Sequence, residues 1–180
     1  MKFTLAAAFI STVLLSVTAL PEPEVARLQR STCDFPTVPL LRAYSPSTTD
    51  HFYTTNATEM YNSVTEGSYY AEGIAAFVHP YQTPITVPLY RLWSPSREDH
   101  LYTTSASERD GDVQIGGYNE EGIAAYVYET QLCGTVPLYR MYSYAAPDHF
   151  YTTSEIEKDN AVNYLGYTYE GIAAYVNPLA

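Results

Sequence analysis

The chain is 180 residues long with 46% hydrophobic content, enough for one compact domain with a real core and too short for two ample ones. Its formal net charge is −11 and its 9 basic residues do not cluster, which argues against a nucleic-acid backbone or an anionic membrane surface as partner. The 19 tyrosines and 12 prolines favour strands and turns over long helices.

In chain order, residues 1–19 read as a secretory signal: Lys2 supplies the positive end, Leu5 to Val17 an apolar run, and Val17-Thr18-Ala19 a small-residue cleavage site. The run is too short to span a bilayer, and no other segment is apolar enough to do so. Residues 20–32, with two prolines and no periodicity, are expected to be a disordered leader or propeptide. The expectation is therefore a secreted, extracellular product, in which Cys33 and Cys133 form one disulfide. Asn56-Ala57-Thr58 is an N-glycosylation sequon.

From Val38 onward the sequence repeats at an interval of 49 residues. Val-Pro-Leu starts at Val38, Val87 and Val136; Asp-His recurs at Asp50-His51, Asp99-His100 and Asp148-His149; Glu-Gly recurs at Glu72, Glu121 and Glu170. No insertion interrupts the register, so a single domain over 33–180 is expected, with units 38–86, 87–135 and 136–180. The last unit is four residues short of the period, and Asp34 to Thr37 stand just ahead of the first. A closed ring in which the N-terminal segment completes the last unit follows from this spacing.

Within each unit, VPLYRLWS and its equivalents predict a strand opened by a proline, and DHLYTT a second strand after a short turn. Asn56, Ser105 and Ser154 each have a glutamate three residues on, a capping-box signature that predicts one short helix per unit. After Tyr69, Tyr118 or Tyr167 comes a Glu-Gly turn and then IAAFV or IAAYV as a buried strand. The count is roughly four short strands per unit. The predicted class is all-β, a three-fold pseudo-symmetric closed fold with the β-trefoil favoured, because closure removes exposed sheet edges, and a three-bladed propeller-like ring as the alternative.

Arg42, Arg91 and Arg140 are flanked by apolar groups on their own strand face, which points to structural ion pairs with an acid such as Asp99 or Glu121 of the same unit. Asp99-His100 has the composition of a carboxylate-oriented imidazole, but no nucleophile accompanies it, so a catalytic role is not assigned. If the three histidines turned inward they would make a three-imidazole metal site, although short-range ligand spacing is absent, and no metal or cofactor is assigned. His79 has no counterpart in the other units and reads as a surface residue. Tyr44, Trp93 and Tyr142, with Asp50, His51, Asp99, His100, Asp148 and His149, supply the stacking faces and planar polar groups that sugar recognition needs, once per unit.

The run PLYRLWSPSREDHLYTTSASERD, followed by GYNEEGIAAYV, resembles a repeat family of secreted bacterial and fungal proteins whose unit reads YRLYNP, DHFYTT and YEGIA. The likeness covers Val38 to Val176. It implies an accessory module of the kind attached to cell-wall or polysaccharide hydrolases, with an attachment role and no chemistry of its own. The combined expectation is a secreted, non-enzymatic, monomeric module that binds a glycan or cell-wall polysaccharide through repeated sites. A small hydrolase using Asp-His pairs and a structural or protein-interaction wall protein are the alternatives.

Overall fold

The computed structural model describes residues 33–179. The expected signal (1–19) and leader (20–32) lie outside the described residues. Each unit folds as strand, strand, helix, strand. The first contains β1 (Val38–Ser45), β2 (Asp50–Thr54), α1 (Ala57–Thr65) and β3 (Tyr70–Val78). The second contains β4 (Val87–Ser94), β5 (Asp99–Thr103), α2 (Ala106–Gly111), which runs on into a π-helical turn at Asp112–Gly116, and β6 (Asn119–Val127). The third contains β7 (Val136–Ser143), β8 (Asp148–Thr152), α3 (Glu155–Tyr164) and β9 (Thr168–Val176).

The first strand of each unit lies between the other two, giving three antiparallel sheets of order β2-β1-β3, β5-β4-β6 and β8-β7-β9. The described residues thus hold three strands per unit instead of the four expected, in three similar sheets that do not merge into a closed barrel. The sheets are instead joined where their last strands end. Antiparallel bridges link Phe77 to Asn177, His79 to Tyr126 and Tyr128 to Tyr175, so each unit touches both others and the ring closes.

Strands β2, β5 and β8 are buried along their whole length. They meet at the axis through Tyr53, Tyr102 and Tyr151, whose rings pack edge to face at 5.4–5.6 Å. Each hydroxyl donates to the carbonyl of the next tyrosine and accepts that residue's N–H: Tyr53 bonds Tyr151, Tyr151 bonds Tyr102, and Tyr102 bonds Tyr53, at 2.6–2.9 Å. Every polar group brought to this buried centre is paired. Leu40, Ala76 and Val78, with their equivalents, complete the central core. A small satellite core lies under each helix, such as Ala43, Phe52 and Met60 beneath α1.

The third strand departs from the expectation of a buried IAAFV. Its register against the central strand shifts twice, leaving Glu72 and Ala75 as the extra residues of two β-bulges, and likewise Glu121 and Ala124, Glu170 and Ala173. Gly73, Gly122 and Gly171 sit between the bulges at φ of about +100 to +119, a conformation that only glycine adopts readily. The double bulge turns Ile74, Ile123 and Ile172 outward, at 41–48% exposure. The carbonyls of Ala75, Ala124 and Ala173 accept hydrogen bonds from Thr153, Thr55 and Thr104 of a neighbouring unit.

Cys33 and Cys133 form the expected disulfide, with Cα atoms 5.4 Å apart. The segment it anchors lies against His79, whose Nδ1–H donates to the Pro36 carbonyl at 3.0 Å while Nε2 accepts from the Tyr128 hydroxyl at 3.0 Å. The surface position expected for His79 is thereby corrected. It is 1% exposed, because the closing segment supplies a carbonyl that a solvent-facing imidazole would not need.

Candidate functional site

The three Asp-His pairs do not act within their own units. Adjacent residues of a strand point to opposite sides, so Asp50 reaches His100, Asp99 reaches His149 and Asp148 reaches His51. In each case one carboxylate oxygen accepts the histidine backbone N–H at 2.7–2.8 Å and the other accepts Nδ1–H at 2.6–2.8 Å. A tyrosine of the aspartate's own unit adds a third donor: Tyr69 to Asp50 and Tyr167 to Asp148 at 2.5 Å, and Tyr118 to Asp99. Burial works to raise the Asp99 carboxyl, but the His149 ring and amide and the Tyr118 hydroxyl hold it below the usual carboxylate range.

These aspartates are 0% exposed. They, and not the imidazoles, converge on the axis, with one oxygen of each within 4.8 Å of the others. Three carboxylates so placed are the donor type a divalent cation accepts, yet each is already held by three hydrogen bonds. The histidines lie further out. Two of the rings pack between aromatics of both units, His51 between Tyr44 at 4.6 Å and Phe150 at 4.5 Å, and His100 between Trp93 at 4.5 Å and Phe52 at 5.1 Å. Tyr142 packs on His149 at 4.4 Å.

Beyond the histidines, each boundary between units carries a glutamate–arginine–glutamate bridge. Arg42 donates from Nη1 and Nη2 to Glu157 at 3.0 and 2.9 Å and pairs through Nε with the bulge residue Glu72 at 2.9 Å. Arg91 holds Glu59 and Glu121, and Arg140 holds Glu108 and Glu170, in the same way. Of the two in-unit partners the sequence offered, Glu121 takes Arg91 and Asp99 does not, because both its oxygens are held by His149 and Tyr118. The neighbouring-unit partner was hidden because Glu59, Glu108 and Glu157 read as capping-box residues. Their amides do accept that role, for the side chains of Asn56, Ser105 and Ser154 cap Glu59, Glu108 and Glu157 N–H. The carboxylates, however, turn away to the arginines and to a strand threonine, as Thr54 donates to Glu59 at 2.5 Å. The available signal was a glutamate and an arginine in strict register in all three units. Burial works against the Glu157 anion, while Arg42 and Thr152 hold its carboxyl below the ordinary value.

Between the third and first units these parts surround a cleft of about 450 Å³ that Tyr44, His51, Glu72, Phe150, Glu157 and Asn160 help to line. Smaller hollows of about 140 and 190 Å³ lie beside Arg91 and Arg140, reached by the outward Ile123 and Ile172. Of the sequence-predicted residues, the structure brings Tyr44 and His51 to the large cleft and Asp148 directly behind His51. Trp93 with His100 and Tyr142 with His149 stand at the equivalent places on the other two boundaries, backed by Asp50 and Asp99. Asn56 is an exposed helix cap.

No curated protein and no solved structure matches the chain. A family model described as a domain of unknown function, DUF5648, matches residues 39–177, from the first strand to the last bridge of the ring. That span takes in all three sheets and every boundary between them, and the chain belongs to the DUF5648 family.

Proposed function

We propose that the protein is a secreted, non-catalytic module that binds glycans, such as cell-wall polysaccharide, at the boundaries between its units. The observation that carries this reading is the cleft between the third and first units, where an aromatic ring, Tyr44, stands beside the planar polar groups of Glu72, Glu157 and Asn160. Sugar rings present an apolar face and a rim of hydroxyls, which these two kinds of group match. Repetition of the elements at three boundaries supports a polymer ligand, since linked weak contacts raise avidity without new chemistry. The role of accessory module, monomeric and acting without a cofactor, belongs to the same reading, as do secretion and glycosylation at Asn56. The disulfide supports an oxidising compartment, and no described helix is long and apolar enough to cross a membrane. The trefoil-like description of the three lobes is part of the proposal too, supported by their common core about one axis.

The test is retention on insoluble polysaccharides, including chitin, cellulose and β-glucan, together with a soluble glycan array. Retention on at least one, reduced by Tyr44→Ala in a protein that still melts cooperatively, is the expected result. Absence of retention on every glycan overturns the proposal.

A further inference from the structure

The three boundaries are built on one plan but do not carry the same side chains at their mouths. In the cleft between the third and first units the lining includes Ser143, Ala146, Leu165 and Tyr167 of the third unit. Their equivalents in the second unit are Ser94, Arg97, Gly116 and Tyr118. A methyl group at Ala146 is thus replaced by a guanidinium at Arg97, and that guanidinium contacts all three of the other equivalents. Its Nη1 donates to the Gly116 carbonyl at 2.6 Å and to Ser94 Oγ at 3.3 Å, and its charge lies 5.3 Å from the centre of the Tyr118 ring. Arg97 therefore spans the space that is open at Ala146. The same boundary is narrowed a second time, because Tyr144 stands edge-on to Tyr142 at 4.7 Å, whereas the first unit has Pro46 in that place beside Tyr44.

The mouths also differ in charge. At the open cleft one guanidinium, Arg42, is shared by two carboxylates, Glu72 and Glu157, and the buried Asp148 lies behind His51. No lysine or arginine from the turn before β8 balances them, since Ala146 holds the place that Arg97 holds in the second unit. An excess of fixed negative charge in a half-enclosed cleft favours a neutral or amine-bearing ring and opposes a carboxylated one.

We propose that the ring has one principal sugar site, the cleft between its third and first units, that this site takes a neutral or amine-bearing sugar, and that Arg97 closes the equivalent cleft between the second and third units. The inference rests on the glycan-binding reading and sharpens it, replacing three equal sites by one principal site.

Isothermal titration with cellohexaose, with a hexamer of glucosamine and with oligogalacturonate separates the two. One binding equivalent per chain is expected for the neutral or amine-bearing hexamer, with the oligogalacturonate at least tenfold weaker. Tyr44→Ala should weaken binding tenfold or more, and Tyr142→Ala less than twofold. Arg97→Ala, a change at an exposed side chain, should raise the stoichiometry to two. Three equivalents, equal losses for Tyr44→Ala and Tyr142→Ala, a stoichiometry unmoved by Arg97→Ala, or tightest binding of oligogalacturonate would each overturn this inference while leaving glycan binding intact. No heat with any of the three, in a protein that is also not retained on any polysaccharide, overturns both.

Discussion

Tyr102 shows how a repeated residue becomes indispensable to the fold without touching solvent. Its hydroxyl serves both the N–H and the C=O of Tyr53 in a fully buried centre. Tyr102→Phe keeps the ring and strands both backbone groups, so a loss of about 1–3 kcal/mol is expected, read as a shift in the denaturant midpoint at unchanged slope. A change within error would show that water replaces the hydroxyl. At this scale the sequence told little about partners. It identified Asp50, Asp99 and Asp148 as special and placed each beside a histidine. The pleat, however, sends neighbours to opposite sides, so each aspartate found the imidazole of another unit, about 50 or 100 residues away. Pairings over such distances are set by the closed ring and leave no local pattern.

Among the elements, the third strand of each unit has the most to explain. Its Glu-Gly pair was legible as a turn signal, and the glycines do hold positive φ, but the pair sits inside a strand between two bulges instead of ending one. The bulge is what brings Glu121 onto Arg91 and turns Ile123 to the surface. A Cβ at Gly122 meets nothing within 4 Å, so the cost of Gly122→Ala lies in its backbone, φ +100, and not in packing. We expect a destabilisation of about 1–3 kcal/mol, measured by thermal or chemical melting. An effect below about 0.5 kcal/mol, the scale of a neutral surface change, would mean that the strand relaxes to a regular register. The helices were the more predictable elements, since the caps at Asn56, Ser105 and Ser154 form where the sequence placed them. Their extents differ, at nine residues in α1, six in α2 before its π-helical turn and ten in α3.

For the whole molecule, titrating groups of opposite sense bound the range of stability. Glu59, Glu108, Glu157 and Asp99 all have carboxyls held below their ordinary values, chiefly against the opposing effect of burial, by arginine, histidine and hydroxyl partners. Their contribution is complete above the ordinary values of 4.5 and 3.8 and is lost as pH falls through the lowered folded values. Burial pushes the hydroxyls of Tyr53, Tyr102 and Tyr151 well above their ordinary 10.0, so their contribution is complete below pH 10.0 and is lost as pH rises beyond it. Melting temperatures should therefore be level between about pH 5 and 9 and fall on both sides. On the alkaline side, tyrosinate absorbance for the buried three should appear together with unfolding. Tyrosinate formation in a still-folded protein would contradict the closed axial arrangement. Three-fold repetition and one disulfide were legible at this scale, because they follow from a register of 49 residues and two cysteines, whereas the bridges Phe77–Asn177, His79–Tyr126 and Tyr128–Tyr175 that link the units left no signal in it. The number of strands was not legible either, since a bulged strand and two straight ones carry similar residue types. Every arginine clamp, every carboxylate–imidazole pair and every tyrosine contact at the axis crosses from one unit to another, so no unit is finished by itself. A lone 49-residue peptide would expose two unmatched but mutually complementary flanks, and three such peptides have the means to assemble as a homotrimer around the same interior.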